Sequence, residues 1–122
     1  MRDALIRYAS WLRSQHHFPV RIPVYLLPGE KFVTAENETV VSSFFAPFDR
    51  SQEPYIRIAT GDFPQLRRDR GRANALAAFI LSLSRQLTHY WQWVRTGETW
   101  HSGVNKQALS MLRDYEKAVS RP

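Results

Sequence analysis

Residues 82 to 98 read "SLSRQLTHYWQWVRTGE", and this stretch decides the fold. It belongs to a run from about Gly71 to Thr96 in which Leu76, Ile80, Leu83, Leu87, Tyr90 and Val94 recur at three- and four-residue spacing, the period of an α-helix. Gly97 closes it. Counting about 100° per residue from Leu87, the residues Arg85, His89 and Gln92 lie about 140° to 200° round the helix, on a face opposite the apolar line. Ala78 and Ser82 continue that face. Trp93 falls near it and Trp91 near the apolar line, which points to partial cover; the competing reading is the solvated side of an amphipathic helix.

Working outward, "TGETWHSG" leads to a last helix, roughly Val104 to Val119, with Ala108, Leu109, Met111, Leu112 and Tyr115 as its apolar positions. At the other end, residues 2 to 15 form an amphipathic helix: Leu5, Ile6, Tyr8, Ala9, Trp11 and Leu12 share helical spacing while Arg2, Arg7 and Arg13 fall elsewhere. Between them come β-type runs at residues 20 to 27, 31 to 36, 39 to 48 and 54 to 60. "PGE" and "ENE" supply turns between the first three, and Pro23, which lacks an N–H, suits the first strand to a sheet edge. "GDFPQLRRDRGR" is a polar connector with room for a short helical turn. The expected architecture is α+β: an N-terminal helix, a small, largely antiparallel sheet of three or four strands, and two C-terminal helices on one face. At 122 residues the chain suits a single domain, residues 1 to 122, with one core and one site.

Composition narrows the chemistry. Hydrophobic residues make up 43% of the chain, enough to build a core and to argue against disorder. Cysteine is absent, which removes disulfides, thiolate nucleophiles and Cys-ligated zinc and fits a reducing cytoplasm. No long apolar run supports a membrane span, and "MRDALIRYASWLRSQ" carries too many charges for a signal peptide. The formal net charge is +6, from 14 Arg and 3 Lys against 11 acidic residues, so an anionic partner, nucleic acid or an acidic protein surface, is in keeping; so is a merely solvated surface. Ser42, Ser43, Ser82 and Ser84 have no recognisable base and acid partners, and no GxSxG, P-loop or Rossmann glycine pattern occurs.

The order of elements, the "SRQLTHYWQW" helix and the "TGETWHSGVNKQALSMLRDYEKAV" that follows it resemble the small SprT-like, zincin-type metallopeptidases of bacteria and their phages, over about residues 54 to 120. In that family the helix reads HExxHYxQW, with two histidine ligands, a glutamate base and a further ligand after a short loop. The resemblance implies a minimal zincin-like fold, and it puts the first ligand on Arg85, the general base on Gln86 and the second ligand on His89. The third falls around His101, with Glu98 as the other occupant. Two of these positions depart from the pattern in their chemistry. A guanidinium offers no lone pair and repels Zn²⁺, and a glutamine cannot accept a proton at neutral pH. His89 and His101 remain, with His16 and His17 distant in sequence.

The expectation is therefore a scaffold without catalysis and without a resident cofactor, acting by binding. The cleft would use Arg85, Gln86, His89 and Gln92, with Trp93 and Trp100 lining a recognition groove and Arg85 free to pair with Glu98 or with an anionic group of a partner. The resemblance to phage and mobile-element proteins implies an inhibitor of a host protein that depends on nucleic acid. One rival is a hydrolase with an atypical zinc site on His89 and His101, completed by Glu98 or water. Another is a nucleic-acid-binding domain that grips phosphates through Arg67, Arg68, Arg70 and Arg72, where cations crowd ahead of the long helix and call for a compensating anion. Tyr55, Arg57 and Phe63 would add stacking. Intramolecular pairing with Asp62 or Asp69 is the alternative for that cluster. Phe44, Phe45 and Phe48 are expected in the core, with Phe44 and Phe45 facing opposite ways.

Overall fold

The computed structural model describes residues 1–49 and 51–120. Nine elements follow in order: α1 (Arg2–Gln15), β1 (Val24–Leu27), β2 (Phe32–Val33), β3 (Thr39–Val40), β4 (Ser42–Phe45), β5 (Tyr55–Ala59), α2 (Phe63–Arg70), α3 (Arg72–Thr96) and α4 (Val104–Ser120). The class is α+β, with the C-terminal helices packed on the sheet. The expected limits of α1, α3 and α4 agree to within a residue or two, while the expected polar connector holds the eight-residue helix α2. Gly97 adopts a left-handed conformation (φ 81°) and returns its N–H to the carbonyl of Trp93, closing α3. Gly71 (φ 82°) separates α2 from α3.

The sheet departs from expectation in its connections. A three-stranded sheet has the order β1-β5-β4, with β1 parallel and β4 antiparallel to β5, while β2 and β3 form a separate hairpin. The "PGE" turn therefore does not fold β1 back onto β2. The "ENE" turn does join β2 to β3, with Asn37 in the left-handed region (φ 64°) that asparagine tolerates. Pro23 stands where an edge strand begins, and its carbonyl accepts from Ile56 N–H. The strands are also shorter than the β-type runs, since only the segments facing β5, or facing each other in the β2–β3 hairpin, find ladder partners.

Strand alternation sends Ile56 and Ile58 of β5 and Phe44 of β4 toward α3. They meet Leu83 and Leu87, and Tyr8 and Leu12 of α1 and Met111 and Leu112 of α4 complete the core. Thus α3 is covered by the sheet on one side and by α1 and α4 on another. Polar groups inside this layer are joined to one another. The hydroxyls of buried Tyr8 and Ser84 are 2.5 Å apart, and Ser84 and Thr88 each donate to the carbonyl four residues back. Of the three phenylalanines expected in the core, Phe44 packs there, Phe45 is exposed on the opposite face, and Phe48 is fully exposed. The strand ends at Phe45, so alternation no longer turns Phe48 inward.

Candidate functional site

The face of α3 that carries Arg85, Gln86 and His89 opens into a cleft of about 420 Å³. Its opposite walls are β4 (Ser42, Ser43), the β2–β3 hairpin (Glu36, Glu38) and the loop bearing His101. Residues far apart in the chain thus converge at one place, and the tie between helix and sheet is explicit: Gln86 Nε2 donates to Ser42 Oγ at 2.9 Å. Arg85 reaches Ser82 Oγ at 3.4 Å and has no carboxylate partner among the described residues. Glu98 does not line the cleft. Its backbone is held by the Thr96 hydroxyl in the turn after α3, leaving the side chain exposed, so the expected Arg85–Glu98 pairing is absent.

The two imidazoles come together, with ring centroids of His89 and His101 5.3 Å apart. Gln92 arranges this. It is buried, 3% exposed, and its Oε1 accepts the N–H of Trp100 at 3.0 Å, which docks the loop carrying His101 onto α3. A backbone N–H can only donate, so this oxygen is the acceptor and His89 Nδ1, 3.0 Å from it, carries the hydrogen, leaving the lone pair on Nε2. Burial holds the His89 pKa below the ordinary histidine value; the Gln92 hydrogen bond acts against this and the neighbouring His101 adds to it. At neutral pH His89 is an uncharged ring.

Zinc is the group that the resemblance implies, and the donor set does not fit it. Sites of that kind take three or four protein ligands, and no group of three His, Cys, Asp or Glu able to hold a metal ion forms among the described residues. The first position of the helix motif holds the Arg85 cation, which lines the same cleft. Gln86, in the base position, is a hydrogen-bond donor to the sheet.

Two expected contact residues have other roles. Trp93 is 1% exposed, packs against Phe44 and donates its ring N–H to the Pro47 carbonyl, so it is core and lines no groove. Gln92 positions the loop from beneath. Trp91, expected in the core, is only partly buried and reaches the His17 carbonyl, beside His16. Trp100 is exposed, as a groove residue would be, although it lies on the far side of the loop from His89, with His16, His17 and Arg95.

Arg67, Arg68 and Arg70 occupy the last turn of α2, and Arg72 opens α3. Crowding ahead of α3 therefore needs no compensating anion on that account: the C-terminal end of α2 favours cations. All four are exposed, and none is paired with a carboxylate among the described residues; Asp69 accepts instead from Gln65. Residues that the sequence did not single out for the cleft are Glu36 and Glu38 on the hairpin and Asn105 at the start of α4. Only strand alternation, which points Ser42 inward, offered a signal for that wall.

Compared with family models, with curated proteins and with solved structures, the chain finds no match. No helix among the described residues is long and apolar enough to cross a membrane.

Proposed function

We propose that this protein is a binding domain without hydrolytic activity, and that its ligand is an extended segment of a protein partner laid along β4 in the Arg85–His89 cleft. The observation that carries this reading is the open edge of β4 beside the cleft. Val41 O accepts from Ala59 N–H, so in the antiparallel ladder residues 41, 43 and 45 face β5, and the backbone groups of Ser42 and Phe44 point to the free side. A segment added there would form main-chain hydrogen bonds and lower alternate side chains toward α3. Arg85 selects a carboxylate or phosphate on that segment, and Glu36 and Glu38 on the opposite wall select against a continuous run of acids.

Chemistry of the helix supports binding over cleavage. Gln86 has no base function, and two imidazoles beside a cation make a poor metal site. The absence of cysteine is in keeping with action in the cytoplasm, and inhibition of a host protein is the role that we attach to such binding. A photo-crosslinking residue at Asn105, on the rim of the cleft, is expected to capture a protein from the host extract in the native background, and not after Arg85→Glu. Capture that ignores the Arg85 change would remove the cleft from consideration.

A second reading rests on the four arginines at the α2–α3 elbow, which have no carboxylate partner among the described residues and suit nucleic-acid phosphates. It requires binding to DNA or RNA that weakens steeply with salt and drops when Arg67, Arg68 and Arg70 become glutamine.

A further inference from the structure

The opposite edge of the sheet carries a second, independent docking feature. β1 is also an edge strand, and a groove runs along it beneath α1 as two adjoining cavities of about 490 and 640 Å³ that share Ala9, Val24 and Leu83. Their floor is apolar, with Leu5, Leu12, Leu26 and Leu87. Large hydrophobic side chains along it stay open to solvent: Ile6 is 49% exposed and Val24 37%. Such an open apolar strip on a chain with a built core marks a contact surface.

The backbone supplies the second observation. Pro23 O accepts from Ile56 N–H and Leu27 O from Thr60 N–H, so in the parallel ladder residues 23, 25 and 27 face β5. Val24 and Leu26 therefore direct N–H and C=O away from the sheet, into the groove side, with no partner among the described residues. The sheet ends one strand short of the cover that α1 offers.

Charge names the occupant. Arg2, Arg13, Arg21 and Arg57 line the two cavities, and no acidic residue does. Arg21 is engaged with Glu53, whereas Arg2 and Arg13 have no carboxylate partner among the described residues. The Arg57 guanidinium lies 4.7 Å from the Phe32 ring centroid and leaves its buried Nε–H without a hydrogen-bond partner. A second copy of this chain adding its own β1 would bring these arginines face to face, which like-charge repulsion opposes.

We infer that the β1 edge binds an acidic, extended segment of another protein, which adds as a fourth strand. Its apolar residues, at every second position, fill the groove floor under α1, and its carboxylates meet Arg2 and Arg13. This site is separate from the cleft of α3 and stands whether or not that cleft binds anything.

The test is a selection from a displayed library of random decapeptides on the full purified chain, followed by titration of the enriched peptide into ¹⁵N-labelled protein. Enrichment of Asp or Glu alternating with apolar residues is expected, with amide shifts centred on Val24 and Leu26. Affinity is expected to fall at least tenfold in the Arg2→Glu, Arg13→Glu double variant, whose exposed side chains hold no described contact that folding needs. Val24→Pro, which deletes an outward N–H of an edge strand and the valine side chain that lines the groove, should weaken the same peptide while the far-ultraviolet spectrum stays unchanged. Shifts confined to Ser42 and Phe44 would overturn the inference and leave the cleft as the strand-adding edge. So would a library with no enrichment, or a twelve-residue oligothymidylate that binds the β1 edge where no peptide does.

Discussion

Gln86 donates its side-chain amide to Ser42 Oγ across 2.9 Å, joining the middle of the long helix to the edge strand at the position where an HExxH helix would hold its base. With Arg85 beside it, the cleft has two imidazoles and a cation where a metal site needs a third ligand. Arg85→His would place a third imidazole one turn from His89 on the same face. That variant is expected to retain about one zinc per chain through gel filtration, read by mass spectrometry of metal content. The native protein, purified without chelator, is expected to carry far less; a full equivalent of zinc that disappears in His89→Ala would reverse the reading of this cleft.

Trp93 and Trp100 offer a direct contrast. Removing the buried indole in Trp93→Ala deletes core volume against Phe44 and the hydrogen bond to Pro47, and should cost about 3–5 kcal/mol in urea unfolding. Trp100→Ala removes an exposed ring, for which a change within about 0.5 kcal/mol is expected. Equal losses would show that Trp100 packs as tightly as Trp93.

The hydroxyl of Tyr8 meets Ser84 in the core between α1 and α3, and burial pushes its pKa up to about 12 despite that hydrogen bond. Tyr8→Phe leaves Ser84 with only its bond to the Ile80 carbonyl and should cost about 1–3 kcal/mol. In the native protein the folded state keeps this proton when the unfolded chain has lost it, so stability should decline as pH rises from about 10 to 12, and this part of the decline should be missing in Tyr8→Phe. Parallel alkaline curves for the two proteins would count against it.

His89 behaves in the opposite sense. Its folded pKa lies below the ordinary value, so the unfolded chain binds the proton first and stability falls as pH drops below about 6.5. Thermal melts at pH 7 and pH 5 should differ less in His89→Gln than in the native chain. The slope is the readout, and identical slopes would mean that protonation of His89 is tolerated in the cleft.

Gly61 bears on the fold beneath both docking edges. A Cβ at this position would stand 2.6 Å from Gly29 C and Pro28 O, in a contact where Gly61 N–H also donates to Gly29 O at 2.8 Å. Gly61→Ala must part the loop after β1 from the loop after β5, and a loss of about 1–3 kcal/mol is expected in denaturant unfolding. A neutral substitution would show that the two loops separate freely.

The amino-acid sequence by itself determined the first, third and fourth helices and their limits, the edge position of the first strand and the shared face of Arg85 and His89, whereas it left α2 as a polar connector with room for a short helical turn. These follow from spacing within one segment, where the helical repeat and glycine stops are local properties. Pairings between distant segments were decided only by the tertiary structure. The parallel match of β1 with β5, the hairpin that brings Glu36 and Glu38 opposite Arg85, and the placing of His101 beside His89 depend on contacts between segments far apart in the chain. The same cause explains Trp91 and Trp93. Periodicity assigns a helix one buried face, but α3 is packed from more than one side, so Gln92 and Trp93 are enclosed while Trp91 reaches the surface.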